Sequence, residues 1–350
     1  MVQYNQTKYI LQENCFPFER DMKIVPWNLY FRIVGKHFTI FVFSGHVNIK
    51  VKSTQKANNI TLHIKDIQIY ENLVSLTDLN EDKPIMILGH AYDEDREFYI
   101  IKADIEADHE YTIDINYQGD LNDDLAGFYR SSYFDSIANE TKVIGTSQME
   151  ATDARRALPC FDEPQMKAKF QVNLGRLESM TSISNMPPTA SGVAMPDQAD
   201  YVWDQYEESL KMSTYLLAFV VSDFEYRSGL DLGTQFRIWS RKEAIGKVPL
   251  IDTRGVNFYW IFLTDETKYA AEIGPKILKY YETFFNIPFP LPKQDMIAIP
   301  DFSAGAMENW GLITYREVAL LHNPQMDSAS RRIYVATVVA HELAHQWFGN

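Results

Sequence analysis

Between about residues 35 and 225, apolar and polar positions alternate in short runs. In "HVNIKVK", Val47, Ile49 and Val51 alternate with Asn48, Lys50 and Lys52. In "NITLHIKDIQIY", Ile60, Leu62 and Ile64 alternate with Thr61, His63 and Lys65, and in "EYTIDINYQG" Tyr111, Ile113, Ile115 and Tyr117 share one face. A period of two with polar partners means strands with one buried side. The runs are separated by turn sequences such as "SG", "DLNED" and "YQGD", which predicts an antiparallel β-saddle or sandwich.

The pattern changes after "LLAFVVSDFEY". One more strand is expected at "TQFRIWSR". Then "DETKYAAEIGPKILKYYETFFN" places Tyr269, Ile273, Ile277, Tyr280 and Phe284 at steps of three and four. This predicts an amphipathic helix, interrupted or bent near Gly274-Pro275. "DMIAIP" reads as a short strand, "GLITYREVALL" as extended and then helical, and "DSASRRIYVATVVAHELAHQWFG" as a long helix capped near Asp327 or Ser328. The fold class is therefore α+β. An atypical segment, 1–24, precedes a β-domain over 25–225, and a mixed domain follows over 226–350. No internal repeat or low-complexity tract interrupts them.

Composition narrows the function classes. The chain has 350 residues, 46% of them hydrophobic, and a formal charge of −14. That is enough apolar content for two or three cores. It is the wrong sign for a nucleic-acid binder, which needs positive surface. Two cysteines, Cys15 and Cys160, make neither a disulfide scaffold nor a four-cysteine zinc module. The start lacks a basic-then-apolar signal pattern, and no apolar run approaches the ~20 residues of a membrane span. Sequons at Asn5, Asn59 and Asn139 carry little weight about compartment.

The candidate chemistry lies in the final stretch, "VVAHELAHQWFGN". On a helix, His341 and His345 stand one turn apart on one face, with Cβ atoms ~5–6 Å apart. Both imidazoles can then reach one zinc ion at ~2.0–2.1 Å. Glu342 is turned ~100° from His341, beside the ion rather than opposite it, where it can act as a general base. Zinc brings the pKa of its water toward ~7, so a carboxylate suffices. Val338, Val339 and Ala340 give the site an apolar approach.

A second segment, "SAGAMENWG", runs from Ser303 to Gly311. Gly305 and Ala306 leave its backbone bare, so a peptide can lie against it as an added strand. Glu308 follows, a carboxylate that could hold a free N-terminal ammonium and so make the enzyme an exopeptidase, although the segment taken by itself reads rather as a tight turn with a solvated glutamate. Glu150, in "TSQMEATDARRALPCFDEP", reads by itself as part of a charge network with Asp153, Arg155, Arg156, Asp162 and Glu163 at a domain junction. The acidic neighbours of Cys160 would raise its thiol pKa and argue against a cysteine nucleophile. The six remaining histidines, scattered through strand and loop contexts, read as surface or hydrogen-bonded residues.

Together, "GAMENWGLITYRE", "HELAHQWFGN", "PCFDEP", "IPFPLPKQDMIAIPDFSAGAMENWG" and "FSGHVNIKV" resemble the aminopeptidase N group of the gluzincin zinc metallopeptidases, from about Val25 to the end. The resemblance implies a β-saddle domain followed by part of a thermolysin-like catalytic domain. It implies Zn2+ held by His341 and His345, Glu342 as general base, and Glu308 and Glu150 as anchors for the substrate's α-ammonium. Ala306 becomes a backbone contact, and Met307 and Asn309 of the same segment join the substrate-binding set. The family's third ligand, a glutamate on the next helix, and its transition-state tyrosine fall beyond Asn350. Two stretches depart from the family: the first ~20 residues, and an apparent insertion over 246–266 whose patternless content suggests a misjoined gene model.

The expectation is therefore a fragment of a zinc metalloaminopeptidase acting on peptides with a free N-terminus. Its location is the plasma membrane or extracellular space, with the cytoplasm as the alternative. The 350 residues alone are expected to be poorly soluble and inactive. A non-catalytic binding or receptor module and an endopeptidase with the same metal motif are the competing readings.

Overall fold

The computed structural model describes residues 22–34, 40–196, 198–246 and 264–350, with residues 22–34 and Ile40 described as backbone alone. The atypical start up to residue 21, and the apparent insertion apart from Gly246 and residues 264–266, lie outside the described residues.

Among the described residues, the chain from 22 to 222 forms a nine-stranded sheet with three- and four-stranded sheets beside it. Its centre is the antiparallel pair Ile40–Lys52 and Glu110–Asp120, in which Val47 faces Ile115 and Ile49 faces Ile113. The alternating apolar residues of both strands are fully buried, as the period of two requires. Across this pair Gly45 faces Tyr117 and Phe43 faces Gly119. A Cβ on either glycine would lie within 2.3 Å of the opposing ring, so only glycine lets these aromatics lie across the strands. The strand Met22–Val34 adds to one side, antiparallel to Ile40–Lys52 and parallel to Ala168–Leu177.

One expected run divides. "NITLHIKDIQIY" is two strands, Ala57–His63 in the three-stranded sheet and Ile67–Ile69 in the nine-stranded one. Asp66 makes the break with φ 55°, a left-handed conformation that short polar residues tolerate. His63 consequently turns inward and is buried.

From Glu225 onward a five-stranded sheet forms, in the order Glu225–Ser228, Gln235–Ser240, Lys293–Ile299, Leu312–Arg316 and Ala306–Met307. The three inner strands are parallel. The helix Lys268–Phe285 provides the crossover between Gln235–Ser240 and Lys293–Ile299, as parallel pairing demands. Both faces of this sheet are covered, and all seven residues of Lys293–Ile299 are buried. Trp239, Ile297, Ile299, Met307 and Leu312 join the core of the β-sheets. Phe236, Ile238, Met296, Ala298, Ile313 and Tyr315 pack with the helices instead.

The crossover helix differs from its expected form in two ways. It runs unbroken through Pro275, and its buried face is Ala270, Ala271, Gly274, Pro275 and Leu278, while Tyr280 and Phe284 are exposed. Close packing against the sheet explains the small residues. A Cβ at Gly274 would stand 2.6 Å from the Phe236 ring, so glycine is needed for the approach. The end of the apparent insertion returns to the chain just before its start, since the Glu266 N–H donates to Ala244 O at 2.8 Å.

Candidate active site

The last described helix is Ala329–Ala344. The Ser328 side chain accepts from Arg331 N at its start, meeting one of the amides a helix leaves unpaired. Val335, Val339 and Leu343 form a fully buried stripe one turn apart, each contributing about 1.5–3 kcal/mol of burial. That stripe turns the face with His341 and His345 outward. His341 is exposed and His345 half-buried.

The two imidazoles converge. Nε2 of His341 and Nε2 of His345 are 3.1 Å apart, with ring planes at 78°. His345 Nδ1 lies 3.1 Å from Phe348 O. A proton donated there leaves the Nε2 lone pair pointing at its partner, the orientation a metal-ligating histidine takes from its outer hydrogen bond. Two nitrogens bound at ~2.0–2.1 Å to one tetrahedral ion stand about 3.3 Å apart, so the pair fits zinc as two of its donors. Among the described residues no group of three potential ligands completes the set.

Three carboxylates from separate segments surround this pair. Glu308 Oε1 is 3.6 Å from His345 Nδ1. Burial raises the Glu150 carboxyl above its usual range; the negative charge of Glu308 adds to the shift and His345 opposes it. Glu342 is 5% exposed, and its Oε2 is buried without a hydrogen-bond partner. Burial pushes its carboxyl up to about 8, with Glu308 and Glu150 adding to the shift. Each group therefore senses the others, and the cluster is short of positive charge. A cation among them, whether an ammonium or a metal, would relieve it. Beside them opens a cavity of ≈ 170 Å³ lined by Leu216, Glu308, Trp310, His345 and Gln346. A larger cleft of ≈ 600 Å³ between Tyr226, Trp239 and Ile245 contains none of these residues.

Within "SAGAMENWG", Ala306–Met307 is the edge strand of the five-stranded sheet, with Ala306 opposite Tyr315 and Met307 opposite Thr314. Its outer side faces no strand among the described residues. The side chains of Met307 and Asn309 do not line a groove. Each is 1% exposed, and Asn309 Nδ2 donates to Thr314 Oγ1. The Asn309 carbonyl accepts from Leu312 N at 3.0 Å.

Glu150 stands apart from the ion network that follows it. Arg155 pairs with Asp162 and Glu97, and Arg156 with Asp153, Asp66 and Asp124. Cys160 is fully buried, and burial with Asp162 nearby raises its thiol well above the ordinary range, so it is inert. Three neighbours were missed in the sequence. The Tyr215 hydroxyl donates to Gly349 O, and its pKa is raised by burial and by Glu308 and Glu150. Tyr315 is buried with its hydroxyl unpartnered, and the Glu342 charge adds to the effect of burial on it. Gln346 joins two segments. Its position beside His345 was a signal, whereas Tyr215 lies far away in the sequence and gave none.

Two family models match the chain, the Peptidase M1 N-terminal domain over residues 27–216 and the Peptidase family M1 domain over residues 269–350. The chain belongs to the M1 peptidase family. It is 39% identical over 321 residues to aminopeptidase N of Bos taurus, covering 89% of this chain and 31% of that protein. Aminopeptidase N of Homo sapiens is 38% identical over 317 residues, with the same coverage. Endoplasmic reticulum aminopeptidase 2 of Bos taurus is 35% identical over 352 residues, covering 96% of this chain and 34% of the relative. The chain thus spans about a third of the length of the relatives it matches. The segment 217–268, which contains the apparent insertion, lies between the two family matches. No helix among the described residues is long and apolar enough to cross a membrane.

Proposed function

We propose that this chain carries the substrate-anchoring part and two of the metal ligands of a zinc aminopeptidase. The observation that carries the reading is the meeting of Glu150, Glu308 and Glu342, from three segments, beside the His341–His345 pair. Relatives named aminopeptidase N support it.

Glu308 and Glu150 hold the α-ammonium of the substrate. An anchored amine fixes which peptide bond reaches the histidines, and no chain extends beyond it. The open edge at Ala306 pairs with the substrate main chain. Glu342 takes a proton from the attacking water at its unpartnered Oε2 and returns it to the leaving nitrogen. His341 and His345 would hold the zinc, which would supply polarisation of the scissile carbonyl and a more acidic water. The wider reading places the protein at the cell surface or outside the cell.

The test is hydrolysis by the intact protein of a leucyl peptide amide and its N-acetyl counterpart. Release of the first residue from the free amine alone, lost on chelation and restored by zinc, is the expected result. Equal cleavage of the acetylated peptide would favour an endopeptidase and sink the anchor roles.

A further inference from the structure

The strap Glu308–Gly311 carries the proposed amine anchor, and four of its eight main-chain groups are held by side chains from outside it. Gln346 Nε2 donates to Glu308 O at 3.2 Å. The Gly311 N–H donates to Gln346 Oε1 at 3.2 Å. Trp310 O accepts from Asn185 Nδ2 at 2.9 Å. Gly311 O accepts from Lys293 Nζ at 2.8 Å and from Asp295 N at 3.0 Å. Asn185, Lys293 and Gln346 are each buried, so these bonds are shielded from water. Gly311 has φ 81°, and a Cβ there would stand 2.6 Å from Asn185 O. The strap is clamped against the β-domain on one side and the histidine helix on the other.

Gln346 differs from the other two clamps. It follows His345 directly, and its amide bridges both ends of the strap while also reaching back to Glu342 O at 3.4 Å. One side chain therefore links the segment holding the substrate amine to the segment holding the reacting groups. We propose that Gln346 is a positioning residue that fixes the Glu308 anchor in register with the His341–His345 pair. The proposal rests on the aminopeptidase reading. A strap freed to move would hold the amine less tightly, so the cost should fall on substrate binding before it falls on turnover of the bound complex.

The test compares the intact protein with Gln346→Met and Gln346→Glu. In Gln346→Met, the peptide covering 308–311 should exchange its amide hydrogens about tenfold faster, since Gly311 N–H loses its acceptor. KM for the free-amine peptide amide should rise about tenfold while kcat falls less than about threefold. Bound zinc per chain should stay at the wild-type value. Gln346→Glu keeps an acceptor for Gly311 N–H but no donor for Glu308 O. It should restore slow exchange and leave KM raised. Wild-type exchange and KM in Gln346→Met overturn the proposal, as does a joint loss of zinc, kcat and KM, which would mark a general collapse of the helix end. A wild-type protein indifferent to N-acetylation contradicts the anchor reading, and the exchange comparison then decides the clamp alone.

Discussion

Two buried carboxylates of the second half of the chain are treated in opposite ways. Asp295 is wholly buried and accepts from Arg237 through both oxygens, from Trp239 Nε1 and from Lys293 Nζ. Burial alone would raise its carboxyl, but the Lys293 and Arg237 charges hold it below the usual range. Glu342 is almost as buried, yet one oxygen has no partner and its carboxyl is pushed up to about 8. A buried charge that serves the fold is paired on every side, because an unpaired one costs several kcal/mol. A buried carboxylate left open beside two converging imidazoles is placed for a ligand or a proton. The contrast sets Glu342 apart from a carboxylate whose charge the fold has compensated.

The largest expected effect breaks the open site. Glu342→Gln in the intact protein should lower peptide hydrolysis by about 10²–10⁴-fold, while its unfolding midpoint in denaturant stays close to wild type. A comparable loss of stability would place Glu342 with Asp295 and erase the contrast. Asp295→Ala should behave in the opposite way. It strands the Lys293 and Arg237 charges and should cost about 3–5 kcal/mol in equilibrium unfolding.

A neutral buried group sharpens the comparison. Burial and the Arg155 charge push His63 down to about 4, and its Nδ1 accepts from Asp162 N. In the unfolded chain the imidazole titrates near ~6.5. Between these values the unfolded state binds more protons, so stability is full above pH ~6.5 and falls as pH drops toward 4, by about 3 kcal/mol. The slope of unfolding free energy against pH should shrink in His63→Gln. Smallest is the cap: Ser328→Ala should cost about 1 kcal/mol by thermal unfolding and leave zinc binding alone, since the histidines sit at the far end of the helix.

The parts legible in the sequence were those governed by local periodicity. Val47, Ile49, Ile113 and Ile115 declared their strands because one face of the sheet is buried, and Ser328 marked the start of the histidine helix. The spacing of His341 and His345 placed them on one face for the same reason. Phe284 and Tyr280 misled because a helix packed closely on a sheet buries its small residues, and that choice depends on the facing Phe236. His63 was hidden because Asp66 turns the chain and moves the next run into another sheet. Within the site, Glu150 needed the family resemblance, since its convergence with Glu308 and Glu342 is made by tertiary packing alone. The inward side chains of Met307 and Asn309, and the bridge made by Gln346, were invisible for the same reason.

The central claim is that Glu308 reads the free amine of a peptide bound beside the histidine pair. It is tested most directly by the ratio of kcat/KM for a free-amine peptide amide to that for its N-acetyl form, in the intact wild type and in Glu308→Gln. The account predicts a strong preference for the free amine that falls about 100-fold or more in the variant through loss on the free-amine substrate. A variant that keeps the wild-type ratio would contradict it.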